Sequence, residues 1–387
     1  MSKKKSNLEI AQEEAQAAIK LTNNRIQILG EYSGELFKAL VNLQGLFDKI
    51  RHVPSEHTLK LKKLKEIRLN WKKQAEKIAE ENASISQKAL TGGTSGVLAG
   101  VGVAALGPTA AMGVATTFGV ASTGTAISAL SGAAATNAAL AWLGGGALAA
   151  GGGGMAAGEA LLALAGPIGW SIAGAAILAS GIFYFINKSN NERLQNVFTL
   201  ISKRDVKSYE LAIVELNERI DRIKDETPKL WEASAVIKSF GLNYSEMTDD
   251  QQYLLGTYVN LMYSSTQLMV NPILGLLPKY TKNDLDDFIS NHKMIYSKDY
   301  PVGDNAPGEN KYWDFWRWTK DHKDAVISLS NLLYSIELDD KDVKLLGKSF
   351  KKNEEFIKSM GLTKELFETD LLFTVRDLLQ FKSTSSS

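Results

Sequence analysis

The chain has 387 residues, near-balanced charge (44 Lys and Arg against 43 Asp and Glu) and no cysteine. The missing cysteine excludes a disulfide framework, thiolate catalysis and zinc sites built on sulfur. The balance conceals a division: residues 1–88 carry 17 basic against 11 acidic side chains and residues 188–387 carry 27 against 31, so no large basic patch of the kind nucleic acid requires is present.

The N-terminus, MSKKKSNLEIAQEEAQ, is basic and then amphipathic, with no apolar core or cleavage site. It does not read as a secretory signal, and synthesis in the cytoplasm is expected. From about Asn7 apolar residues recur at helical spacing, and Leu36, Leu40, Leu43, Phe47 and Ile50 alternate four and three apart, as a packed seam requires. Pro54 breaks the run. A second helix is predicted from near Leu59, with Leu64, Ile67, Trp71, Ala75, Ile78 and Ile85 along one stripe. Residues 1–90 therefore read as an antiparallel coiled-coil hairpin, either a scaffold or a stalk that carries the apolar segment to a bilayer. The run KLKKLKEIRLNWKK suits anionic headgroups or the solvated side of a helix.

The next unit, residues 91–187, departs from globular composition. Between Lys88 and Lys188 stands a single charged residue, Glu159, and about two-thirds of the 32 glycines fall there. Helices of a soluble domain each need a wetted face, so a stretch without one must be enclosed by protein or by lipid. The last part, GPIGWSIAGAAILASGIFYFI over residues 166–186, is long enough to cross about 30 Å of hydrocarbon, with Trp170 and Tyr184 placed for the two interfaces. The first part spaces Gly92, Gly96, Gly100 and Ala104 by four, a small-residue face that Ser171, Ala175 and Ala179 match. The two parts predict an intramembrane helical hairpin, with insertion assigned to Gly96, Gly100, Gly166, Trp170, Ile172, Ala175, Ala179, Phe183, Tyr184 and Phe185. The glycine cluster between them reads as a turn, a re-entrant loop or a part that changes structure on insertion. No lysine lies inside the stretch, so it holds no GxxxxGK[ST] phosphate loop. The alternative is the buried core of a soluble Gly/Ala bundle. Lysines on both outer edges and none within favour two crossings, with both termini cytoplasmic.

The succession of long helices, Gly/Ala-rich apolar insert and long helices resembles the α-helical pore-forming class. That class includes the apolipoprotein-L and colicin-type hydrophobic hairpins and the haemolysin-E-type toxins with an apolar head. The resemblance covers about a quarter of the chain. It implies membrane insertion, with pore formation as one form of it, and no catalytic residues.

Charge returns with KSNNERLQ, and residues 188–240 read as a long helix in which Tyr209, Ile213, Leu216, Ile220 and Ile223 form the seam and which Pro228 closes. It is expected to lie against the N-terminal hairpin. Residues 241–380 read as a helical domain, with capping boxes at Thr248/Gln251 and Thr281/Asp284 and a loop at SKDYPVGDNAPGENK. The run YWDFWRW offers Tyr312, Trp313, Phe315, Trp316, Arg317 and Trp318 as core or as a partner-binding patch. His52 and His57 are five apart, not the i, i+4 spacing of a helical metal site. Asp284, Asp286 and Asp287, like Asp339, Asp340 and Asp342, read as carboxylates at helix starts. Residues 381–387 read as a disordered tail.

The expectation is an all-α chain of long coiled-coil helices flanking a membrane-inserting hairpin, plus a C-terminal helical domain. It is not read as an enzyme, and no cofactor or metal is called for. Its partner is a lipid bilayer, with self-association on insertion and a possible protein partner, but not nucleic acid. The functional expectation is a membrane-inserting protein, with a pore-forming toxin or cell-killing effector as its sharpest form; the alternative is a membrane-anchored coiled-coil scaffold that recruits a protein.

Overall fold

A computed structural model describes residues 5–69, 188–271, 273–276, 279–299, 319–352, 367 and 369–385. Among them 85% are helical and none lies in a strand, so the chain is all-α. The helices are α1 (Asn7–Phe47), α2 (residues 55–69), α3 (Lys188–Ile237), α4 (Asp249–Val270), α5 (Lys282–Asp299), α6 (Lys320–Leu333), α7 (Asp340–Lys351) and α8 (Thr369–Ser385). Short 3₁₀ turns lie at Tyr244–Glu246 and Leu274–Leu276. No helix among the described residues is long and apolar enough to cross a membrane.

Local sequence places most helix starts. Ser6 accepts from the Glu9 amide while Ser6 N–H donates to the Glu9 carboxylate, and Thr248/Gln251 and Thr319/His322 do the same for α4 and α6. Thr281 and Asp284 form the equivalent pair at α5, and Asp339 and Asp342 at α7. Each box satisfies amides that the first helical turn leaves without partners.

The two longest helices run side by side in the same direction. Leu8 shares a core with Leu194 and Val197, the Lys224 ammonium lies 4.9 Å from the Tyr32 ring, and at the far end Arg51 N–H donates to Leu242 O while Tyr244 N–H donates to Arg51 O. His52 holds a left-handed backbone (φ 58°) at that junction, with its Nδ1 2.9 Å from Asn243 Oδ1. α2 reverses direction and runs back along α1: Lys65 pairs with Asp48 and Arg68 with Gln44.

The predicted seam of α1 holds, since Leu36, Leu40, Leu43, Phe47 and Ile50 are all buried. In α3 the seam turns slightly. Ala212 is buried and Ile213 only half-buried, because the 3₁₀ turn at Gly275 presses on the α3 backbone. Nor does Pro228 close the helix: α3 continues to Ile237. The missing proline amide costs about 3 kcal/mol in a helix interior, but Ile223, Leu230, Ala233 and Ile237 bury on either side of it and together offset that cost.

α3 threads two hydrophobic cores. Its second half joins α1, α2 and α4 around Leu40, Leu64, Leu216 and Met262. Its first turns, through Leu194, Phe198 and Ile201, join Leu8 and the C-terminal helices α5 to α8 around Phe288, Leu329, Phe350 and Val375. Phe350 meets Phe198 and Phe367 edge to face at 6.4 and 6.2 Å. The expected tail is helix as far as Ser385, held where Lys382 pairs with Asp284 and donates to Lys279 O. Ser297, Lys298 and Asp299, expected to open a loop, still belong to α5.

Candidate functional site

In the sequence the uncharged segment follows α2 after residues 70–88, which lie outside the described residues, and runs directly into α3; these two flanking helices differ in chemistry. Every residue assigned to insertion (Gly96, Gly100, Gly166, Trp170, Ile172, Ala175, Ala179, Phe183, Tyr184, Phe185) lies outside the described residues. So do Tyr312, Trp313, Phe315, Trp316, Arg317 and Trp318.

On the α2 side the inward stripe is Leu61, Leu64 and Arg68, three and four apart, while Leu59 stands 67% exposed. The basic run is therefore not uniformly solvated. Arg68 is 3% exposed and sits between three helices, donating to Gln44 Oε1 of α1 at 2.6 Å and to Thr266 Oγ1 of α4 at 3.1 Å. Both acceptors are neutral, and burial pushes the Arg68 pKa down to about 10 against the opposing field of Asp48. Lys65 bonds Asp48 at 2.8 Å, and Lys60 bonds Asn260 Oδ1 at 2.8 Å beside the Tyr263 ring. Burial works to raise the Asp48 pKa, but bonds from Lys65 and Gln44 outweigh it and hold the carboxyl below its usual value.

On the α3 side the first turns are wedged in the C-terminal core, and arginines lock them there. Arg193 grips Asp339 and Asp342, the cap and third residue of α7. Bonds to Asp342 and Asp339 hold the Arg193 pKa above its usual value, and the Asp342 amide and Arg193 hold Asp339 below its own. Arg204 lies 3.8 Å from the Tyr334 ring, donates to the Leu332 and Tyr334 carbonyls and pairs with Asp205 at 2.7 Å. The Ser208 hydroxyl meets Tyr334 OH at 3.1 Å. Four of the six carboxylates singled out in the sequence are thus engaged with protein: Asp284 with Lys382, Asp339 and Asp342 with Arg193, Asp340 with Arg376. No group of three or more metal-ligating side chains occurs among the described residues.

At the far end of the bundle an open cleft of about 530 Å³ lies between α2 and α4, lined by Glu56, His57, Lys60, Asp249, Gln252 and Tyr253 among others. His57 Cε1 lies 3.7 Å from where a side chain on Gly256 would begin, an ordinary contact distance, so the ring packs on this turn of α4. His52, five residues earlier, is turned to Asn243 instead.

Sequence reading missed Arg68 and the α3 clamp for different reasons. Arg68 was signalled by its place in the stripe with Leu61 and Leu64, against its charge. Arg193 and Asp342 are 149 residues apart, with no local pattern to join them. No protein-family model, curated protein or solved structure matches the chain.

Proposed function

We propose that the chain is a membrane-inserting α-helical protein, in which residues 89–187 enter a bilayer while the helices on either side form its water-facing body. The observation that carries this is the single charge, Glu159, between Lys88 and Lys188. Chain without a wetted face is more stable in hydrocarbon than in water once its backbone is paired within helices. Small residues spaced by four allow close helix approach, so inserted copies associate, and a pore that permeabilises the membrane, as a toxin or cell-killing effector does, is the resulting activity. Both termini stay on the cytoplasmic side, and the reading calls on no catalytic residue.

Fractionation with alkaline washing and detergent release tests the membrane association. Dye release from anionic liposomes tests the pore: vesicles that stay intact at saturating protein overturn permeabilisation and leave anchoring.

One further observation favours a membrane-anchored scaffold as the second reading. Residues 312–318 hold five aromatics in seven positions, more than one helix face can turn inward. Deleting residues 89–187 separates the two, because a scaffold keeps its partner and a pore former loses all activity.

A further inference from the structure

We propose that α2 is a strap that leaves the bundle at an anionic bilayer, Lys65 and Arg68 exchanging Asp48, Gln44 and Thr266 for lipid phosphate. The inference rests on the membrane-insertion reading and names the lipid chemistry that starts it.

Four features of α2 point the same way. Its described turns bury only two apolar side chains, Leu61 and Leu64. Beyond these and the half-buried His57 and Ile67, the described side chains of α2 reach α1 and α4 through polar contacts: Lys60 to Asn260, Lys65 to Asp48, and Arg68 to Gln44 and Thr266. Such bonds exchange for others of equal kind with little net change, unlike buried apolar area. Arg68 is the least settled of them, a buried guanidinium bonded to neutral acceptors, whereas a phosphate offers it the charged, forked partner that its geometry fits. The outward face supplies first contact. Lys62 and Lys63 are exposed and form no ion pair among the described residues, and Leu59 and Leu69 stand exposed on either side of them. Lysines near an anionic surface and leucines at its boundary both favour the bound state. Of the described helices, α2 is also the one that precedes the uncharged segment in the sequence, with residues 70–88 between them.

The chain has no cysteine, so Leu64→Cys provides one buried thiol to read the position of α2, and Leu216→Cys provides a control in α3. With vesicles of phosphatidylcholine and phosphatidylglycerol, maleimide labelling of Leu64→Cys is expected to rise at least about tenfold, as opening of one local unit does, while Leu216→Cys stays protected. Phosphatidylcholine alone is expected to produce no rise. Adding Lys62→Glu and Lys63→Glu reverses two charges on the first-contact face and is expected to cut the rise by about tenfold. Arg68→Met separates a strap from a merely structural bond, since it slows labelling with vesicles if the buried charge favours release and speeds labelling in buffer if the bond only holds α2 down. Hydrogen exchange over residues 55–69 of the unaltered chain reads the same opening without substitution. Protein that floats with anionic vesicles while Leu64→Cys and residues 55–69 stay protected overturns the strap and leaves membrane insertion standing. Protein that does not float overturns both.

Discussion

The two described helices that flank the uncharged segment in the sequence bury different amounts of apolar side chain. In the four described turns of α2 the buried set is Leu61, Leu64 and Arg68. The opening turns of α3 bury Leu194, Val197, Phe198 and Ile201, with Arg193 and Arg204 binding the C-terminal helices outside that core. Apolar burial is worth roughly 25 cal/mol per Å² and finds no substitute in water, whereas a polar contact is replaced by solvent at small net change. Two helices of one body can therefore hold their connections with unequal firmness, and the difference lies in what the seam is made of rather than in helix length.

The largest expected effect breaks the firm side. Phe198→Ala should lower unfolding free energy by about 3–5 kcal/mol, because Phe198 is fully buried against Phe350. Urea unfolding measures it, and a loss under about 1 kcal/mol would mean that α3 is not anchored as its packing indicates.

Leu64→Ala sharpens the comparison on the other side. The lost contact, about 2–4 kcal/mol, should appear as faster hydrogen exchange confined to residues 55–69, with protection across α3 retained. Equal loss of protection in both helices would show a single cooperative unit.

Gly275→Ala probes a contact midway along α3, where an added Cβ would lie 2.6 Å from Ala212 N and Ser208 O, both backbone atoms. The turn has to move away, costing about 1–3 kcal/mol and freeing the Gly275 N–H from Glu215. Thermal unfolding reads the loss.

The smallest effect is the pH dependence at Asp48. Its folded-state carboxyl lies below the ordinary 3.8, so its bonds to Lys65 and Gln44 contribute fully above that value and are lost as pH falls below it. The site is half-exposed and solvent screens it, which limits the term to about 0.5 kcal/mol. Protection in α2, relative to the intrinsic exchange rate at each pH, should drop below pH 4 in the native chain and show no such step in Asp48→Asn.

Much of the body is local in origin and so was readable before folding. The alternation of Leu36, Leu40, Leu43 and Phe47 and the boxes at Thr248/Gln251 and Thr281/Asp284 involve residues within a turn or two of each other. Where reading failed, a distant partner had decided. Pro228 remains in a helix because residues on both sides of it find cores. Lys382 is ordered by Asp284, and the seam moves from Ile213 to Ala212 because a turn more than sixty residues later presses on it.

The helical character of the chain, the starts of most of its helices and the single charge of one long stretch are legible in the sequence, since periodicity, capping and composition act over a few residues. Only the tertiary structure decided that α1 and α3 run parallel, that α3 joins two cores, and that Arg68 is buried while Lys62 and Lys63 face solvent. Burial and ion pairing depend on which surfaces meet, and those surfaces come from different helices, from 17 residues apart for Lys65 and Asp48 to 198 for Arg68 and Thr266.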